Sequence, residues 1–176
     1  MIFDFFKRKK PRDSESVTMD TIVRGCIFEF QGETWQVRAI HEYEWEGGGK
    51  TREYECAHAT DCIFVEKDED ETDSWLVTRR KPASELDSMV IEMIIERGKP
   101  PVSVQHGGVS YRLVEESAAY FKSNGEGDEK PLVVFDYEDS AETLSLSIEQ
   151  WGEREFQLAI GEYVEEFRFA NILPAP

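Results

Sequence analysis

Apolar and polar residues alternate along much of this chain with the two-residue period of a half-buried β-strand. The clearest stretch is TWQVRAIHEYEW, residues 34–45, in which alternate positions carry Trp35, Val37, Ala39, His41, Tyr43 and Trp45. The glycines at 47–49 predict a hairpin to KTREYECAH, residues 50–58. Together with the shorter segments IVRGCIFEF, CIFVEK and SWLVTRR, this pattern predicts that the first half of the chain is β-structure.

One segment, PASELDSMVIEMIIERGKPP at residues 82–101, has the period of an amphipathic helix instead. Ser84 and Asp87 stand in a relation like that of a capping box, and Gly98 and Pro100 are typical of a helix end. The apolar stripe of this helix is predicted to face the protein core, and it consists of Leu86, Met89, Val90, Met93 and Ile94.

The second half of the chain repeats the plan of the first. The matching positions are Gly32, Trp35 and Val37 in the first half and Gly108, Tyr111 and Leu113 in the second. Taken alone, residues 109–121 fit a helix or a strand, and the repeat favours the strand. The segments PLVVFDYED, TLSLSIEQW, REFQLAIG and EYVEEFRFANIL predict three or four further strands.

These elements predict a mainly β (α+β) fold, made of two similar small β-meander or barrel-like lobes joined by one amphipathic helix. Residues 1–16 form a basic and aromatic leader, residues 17–81 the N-terminal lobe, residues 82–99 the central helix and linker, and residues 100–176 the C-terminal lobe. A chain of 176 residues is long enough for two such halves to share one core.

Segments from both halves resemble one protein family. They are GETWQVRAI, SWLVTRR, YRLVEESAAYF, FDYED, LSLSIEQWGEREFQLAIGEYV and ANILP, and they cover most of residues 20–174. In these segments the chain resembles the bacterial domain-of-unknown-function family DUF4178. The resemblance implies a small, mostly β, bacterial cytoplasmic protein that acts beside membrane-associated or polyamine-related systems. It implies no catalytic residue, because the shared motifs are turns and strand starts.

The charge balance restricts the class of partner. The chain has 37 acidic and 20 basic residues and a formal net charge of −17. Nucleic acid is not expected as a partner, since binding to the phosphate backbone depends on Lys and Arg. A basic protein or a small cation fits better, and the alternative is that the charge serves solubility alone. Three cysteines and no apolar run of about 18 residues predict a reducing, cytoplasmic location with at most peripheral membrane contact.

The sharpest local cluster of reactive residues is CAHATDC, which contains Cys56, His58, Asp61 and Cys62. Thiolates and imidazole suit zinc, but the spacing of the two cysteines does not match the usual pairing, so no metal and no cofactor are predicted. The alternative is a metal- or thiol-dependent enzyme that uses Cys56, His58 and Cys62. Buried cysteines that act as small apolar residues are favoured over that enzyme.

Aromatic residues and glutamates are interleaved in the first half of the chain. The candidate ligand-binding rings are Trp35, Tyr43, Trp45, Tyr54 and Trp75. Aromatic faces beside carboxylates attract organic cations, so this set predicts a site for a polyamine or a lysine-rich tail. The alternative is that the rings fill the core of a small β-barrel.

The leader MIFDFFKRKKPR differs in character from the acidic body. Its candidate docking residues are Phe3, Phe5, Phe6, Lys7, Arg8, Lys9 and Lys10. Apolar insertion combined with basic charge suits an anionic membrane surface or an acidic patch on a protein. We therefore predict a non-catalytic binding or adaptor module with a protein partner, acting at or near a membrane-associated system. The alternatives are the enzyme above and a sensor of organic cations such as polyamines.

Overall fold

A computed structural model describes residues 17–67 and 74–175 of the chain. Within these residues eleven strands form one antiparallel sheet. The strands are β1 (Ile27–Phe30), β2 (Glu33–Trp45), β3 (Lys50–His58), β4 (Asp61–Lys67), β5 (Ser74–Pro82), β6 (Ser103–His106), β7 (Val109–Lys122), β8 (Lys130–Glu138), β9 (Leu144–Gly152), β10 (Glu155–Glu165) and β11 (Ala170–Leu173). The α-helix α1 spans Ser88–Arg97, and 3-10 turns span Met19–Thr21, Ala83–Glu85, Ser123–Gly125 and Glu166–Arg168. The prediction of a mainly β fold is confirmed.

Eight of the strands close into a barrel. The sheet runs in the order β11-β1-β2-β3-β4-β5-β10-β9-β8-β7-β6, and an additional pairing of β2 with β7 closes the ring from β2 to β7. Within the ring the two halves of the chain therefore meet at two seams, β5 with β10 and β2 with β7, and outside the ring β1 pairs with β11. The predicted two-lobe architecture is not confirmed, because strands of both halves hydrogen-bond within one closed sheet.

The internal repeat appears in the structure as two matching bends. β2 and β7 are the longest strands, and the register slips between Val37 and Ala39 in β2 and between Leu113 and Glu115 in β7. A bulge bends a strand and increases its twist, so the end of each strand leaves its own half. The two ends then pair with each other, as in Tyr43 with Phe121. Residues 109–121 form a strand, as the repeat predicted.

Apolar side chains on one face of the sheet form two large clusters. The first cluster contains Phe28, Trp35, Cys56, Trp75 and Phe169. It packs under β1 and the first 3-10 turn. The second is covered by α1 and β6, and its central members are Phe135, Tyr137, Leu146, Ile148 and Leu158. Both covering layers lie outside the ring of eight strands, so the opposite face of the sheet lines the interior of the barrel.

The helix is shorter than predicted and is capped by a different residue. The Asp87 side chain accepts a hydrogen bond of 3.0 Å from the backbone N–H of Met89, whereas Ser84 lies in the preceding 3-10 turn. Gly98 has φ of 64° and ends the helix in the left-handed conformation. The prediction that Met89 faces the core is wrong, because its side chain is 66% exposed. Ile94 is buried, as predicted. Within the described ranges no helix is both long and apolar enough to cross a bilayer.

Candidate functional site: the barrel interior

A cavity of about 890 Å³ opens into the barrel. Each of the eight ring strands contributes to its lining, with His41, Glu53, Phe64, Arg80, Phe121, Lys130, Trp151 and Phe156 as one residue from each strand. A cavity lined by every strand of a closed ring is the interior of the barrel. Its volume falls within the range of about 300–1,000 Å³ that is typical of small-ligand sites.

Arg80 organises the floor of this cavity. Its guanidinium donates a hydrogen bond of 2.6 Å to Glu53, forms an ion pair with Glu149, and donates a hydrogen bond of 3.1 Å to the hydroxyl of Tyr43. The side chains of Glu53 and Glu149 are only 7% and 6% exposed. The guanidinium also lies 4.7 Å from the centre of the Phe64 ring. Because one cation meets two buried carboxylates, this cluster carries a net negative charge.

Local sequence explains why Arg80 fits inside. In β5 the two-residue period places Thr78 and Arg80 on the interior face, and their partners on β10 are Gly161 and Ala159. These small residues leave room for a large side chain. A Cβ atom added to Gly161 would overlap the backbone carbonyl of Val77, so the seam between β5 and β10 requires glycine there.

Two further carboxyl groups add to the acidic interior. Burial, reinforced by the charge of Glu53, raises the pKa of Glu66 to about 8. Burial also raises the pKa of Asp136 to about 6, although the hydroxyl of Ser147 donates a hydrogen bond of 2.5 Å to it. The charge of Asp136 also raises the pKa of Glu66, so Glu66 is mainly protonated near neutral pH whereas Asp136 is mainly ionised. The interior therefore holds more negative charge than Arg80 alone neutralises.

Aromatic rings form one wall of the site. The Phe121 ring lies 5.2 Å from that of His41, 5.2 Å from that of Tyr43 and 5.1 Å from that of Trp151, measured between ring centres. Trp45 stacks on Tyr43 at 5.7 Å. Carboxylates below and ring faces beside an open space form an environment that attracts positive charge.

His41 is held in one orientation at the edge of this wall. Its Nδ1 accepts a hydrogen bond of 3.3 Å from the backbone N–H of Asn124, and its Nε2 lies 3.2 Å from Glu55. Since Nδ1 accepts, the proton of the neutral ring resides on Nε2 and faces Glu55. Both ring nitrogens are thus engaged in structural contacts.

Comparison with known proteins assigns the chain to a family. Residues 24–166 match the family described as Domain of unknown function (DUF4178). The chain belongs to the DUF4178 family. An uncharacterized protein of Aquifex aeolicus (strain VF5) is 27% identical over 172 residues, which cover 96% of this chain and 94% of that protein. No solved structure matches the chain.

In this DUF4178 domain the five rings predicted to bind a ligand are divided between two environments. Tyr43 and Trp45 lie on the interior wall described above. Trp35, Tyr54 and Trp75 lie in the apolar cluster on the other face of the sheet and are 2%, 6% and 1% exposed. These three are therefore core residues rather than a surface for a ligand.

The four candidate metal or thiol residues of the DUF4178 domain lie near one hairpin turn, but their side chains have different partners. The buried Cys56 thiol donates to the carbonyl of Tyr54 at 3.4 Å, and Nδ1 of His58 lies 3.0 Å from the carbonyl of Thr34. A salt bridge to Arg79 occupies Asp61. Among the described residues no group of three or more His, Cys, Asp or Glu is placed to hold a metal ion.

Neither thiol of that cluster is activated. Burial raises the pKa of Cys56 strongly and that of Cys62 to about 11, so both sulfurs stay protonated near neutral pH. The predicted docking residues Phe3, Phe5, Phe6, Lys7, Arg8, Lys9 and Lys10 lie outside the described residues.

Sequence reasoning missed the main residues of the interior. Arg80 and Glu149 lie on the polar faces of predicted strands, and such faces are usually turned to solvent. The available signal was the regular polar face of LSLSIEQW, where Ser145, Ser147 and Glu149 alternate with apolar residues. All three are buried, because the ring of strands closes around them.

Proposed function

We propose that this chain is a non-catalytic binding module that holds a small organic cation inside its barrel. The observation that carries this proposal is the cavity of about 890 Å³, to which all eight ring strands contribute residues. Eight-stranded barrels are wide enough to hold one small ligand.

The charge of the interior supports a cation. Glu53, Glu149, Glu66 and Asp136 are carboxyl groups of the interior, and Arg80 is the one cation of the floor cluster. A positively charged ligand would offset the remaining negative charge, and the faces of Phe64, Phe121 and Trp151 line the same space. Polyamines and other alkyl ammonium ions combine such a charge with apolar carbon.

A binding role is favoured over catalysis because the polar side chains of the interior already bind other protein groups. Arg80, Glu53 and Glu149 bind one another, and both nitrogens of His41 are engaged. The enzyme built on Cys56, His58 and Cys62 remains the weaker alternative, since no observation in the structure favours it. A protein partner, a basic one included, and peripheral membrane contact through the leader remain predictions.

Isothermal titration calorimetry on the full chain tests the proposal. Octylammonium should bind and its neutral counterpart octanol should bind more weakly, because only the ammonium meets the carboxylates and ring faces. The variant Phe121→Leu keeps an apolar wall but removes a π face that lines the cavity, and it should weaken octylammonium binding by roughly three- to tenfold.

The matched control is Phe167→Leu, a similar loss of a ring at a residue that is 79% exposed and lies outside the cavity lining. It should leave the affinity unchanged. Absence of octylammonium binding to the folded chain, or equal loss in both variants, would refute a cation site in the barrel.

A further inference from the structure

The opening of the cavity carries charge of the opposite sign to its floor. Lys81 and Lys130 both line the cavity and are exposed, and with the exposed Glu155 of the same lining they leave an excess of one positive charge there. Within the described residues neither lysine forms an ion pair, whereas Lys50 and Lys122 each contact a glutamate. In a chain with 37 acidic and 20 basic residues, two unpaired lysines at one opening are a specific feature.

The floor is the buried part of the same space. Glu53 lines the cavity and is one of the two buried carboxylates around Arg80. The rings of Phe121 and Trp151 line the same space. The cavity thus combines a buried negative cluster, an apolar wall and an excess of exposed positive charge.

A simple cation does not satisfy this arrangement. Its ammonium would be attracted to the floor, but its far end would leave the excess positive charge of Lys81 and Lys130 over Glu155 uncompensated. A simple anion is opposed by the carboxylates of the floor. A molecule with a positive charge at one end and a negative charge at the other complements both ends at once.

We propose that the ligand is zwitterionic, with an ammonium group directed to the floor beside Glu53 and an anionic group, a carboxylate or phosphate, held at the opening by Lys81 and Lys130. An alkyl or aromatic segment between the two charges contacts the rings. This inference rests on the proposed cation site and adds the second charge and the orientation of the ligand. The residues assigned to the anionic end are Lys81 and Lys130.

A matched series of probes tests the orientation by calorimetry on the full chain. The probes are ω-amino carboxylates of about six to ten carbons, together with the alkylammonium and the alkanoate of the same lengths. At the best length the amino carboxylate should bind roughly three- to tenfold tighter than the alkylammonium, the gain expected from two solvent-exposed charge contacts. The alkanoate should bind most weakly.

The double variant Lys81→Gln/Lys130→Gln should reduce the affinity for the amino carboxylate to that for the alkylammonium. The affinity for the alkylammonium itself should stay the same or increase. The double variant Arg97→Gln/Lys99→Gln is the control, because it removes the same charge from residues outside the cavity lining. It should preserve the preference for the amino carboxylate.

The outcomes separate the two proposals. If the alkylammonium binds but the amino carboxylate binds no tighter at any length, the zwitterion is refuted and the cation site stands. Equal weakening of both probes by the Lys81 and Lys130 substitutions also refutes it, since the lysines then do not recognise the anionic end. If neither probe binds to the folded chain, the cation site itself is wrong.

Discussion

Replacement of Arg80 by methionine should destabilise the protein far more than replacement of its neighbour Arg79. Arg80→Met leaves Glu53 and Glu149 buried without a cation, with side chains that are only 7% and 6% exposed. Breaking a buried ion pair in this way costs about 3–5 kcal/mol. Arg79 forms a salt bridge to Asp61 in which the two side chains are 42% and 51% exposed, so Arg79→Met should cost about 1 kcal/mol or less.

Thermal and urea unfolding of the two variants measures this difference. For a chain of this size 1 kcal/mol corresponds to about 2–4 °C in Tm, so Arg80→Met should lower Tm by roughly 6–20 °C. The sign of the pH dependence provides a second measurement. Without Arg80 the two buried carboxylates carry charge with no cation beside them, and protonation in acid removes this unpaired charge. The deficit of Arg80→Met should therefore shrink when the pH is lowered toward 5.

Equal losses in Arg80→Met and Arg79→Met would contradict the reasoning, because they would place Arg80 in solvent. A large loss that does not shrink in acid would also contradict it, since the cost would then come from packing against Phe64 and not from unpaired charge. Arg80→Lys separates the two contributions, because it keeps the charge but loses the guanidinium that contacts two carboxylates at once. Its free energy of unfolding should lie between those of the wild type and Arg80→Met.

Three further predictions concern other parts of the chain. The first is that a quaternary alkylammonium ion should bind more tightly at about pH 9 than at about pH 7, with Glu66→Gln abolishing the change. The reason is that the pKa of Glu66 is about 8 and its ionised form attracts the cation; calorimetry with unchanged affinity across this range would oppose the assignment. Gly161→Ala should lower the free energy of unfolding strongly, because the added Cβ would overlap backbone atoms of β5. Gly152→Ala should lower it only slightly, because its Cβ would meet no atom within 3.5 Å. Equal losses in urea unfolding would argue against a tight seam between β5 and β10. The full chain should sediment with anionic but not neutral vesicles, and a chain that starts at Ser14 should not; if neither sediments at low salt, membrane docking by the leader is wrong.

The sequence allowed the strands and the family to be predicted, because their signals are local. The alternation in β2 is visible within twelve residues, and the turns before β2 and β7 carry glycine at 32 and 108, where φ is positive. The helix was located correctly, but its start was misplaced because both Ser84 and Asp87 are good capping residues. Only the structure shows that Asp87 is the cap.

Closure of the barrel could not be predicted in the same way. The pairing of β5 with β10 joins residues about 80 positions apart, and no short pattern specifies which strand edges meet. The same limit applies to the site. Alternation shows that Glu53 and Glu149 lie on polar faces, but whether such a face meets solvent or an enclosed space depends on closure. The interpretation of Trp35 and Trp75 as core residues succeeded because an apolar face is buried in either arrangement.

The distribution of apolar surface explains why the interior of this barrel is polar. Stability is supplied by two apolar clusters outside the ring, one under β1 and β11 and the other under α1 and β6. Since these layers already bury most of the large side chains, the interior needs only the smaller apolar cluster around Tyr43 and Leu132 and is otherwise polar. It can hold Arg80 and several carboxylates, provided that most of them find partners. A fold that places its core outside the ring leaves the inside free for recognition, and substitutions that affect binding and those that affect stability should therefore separate onto the two faces of one sheet.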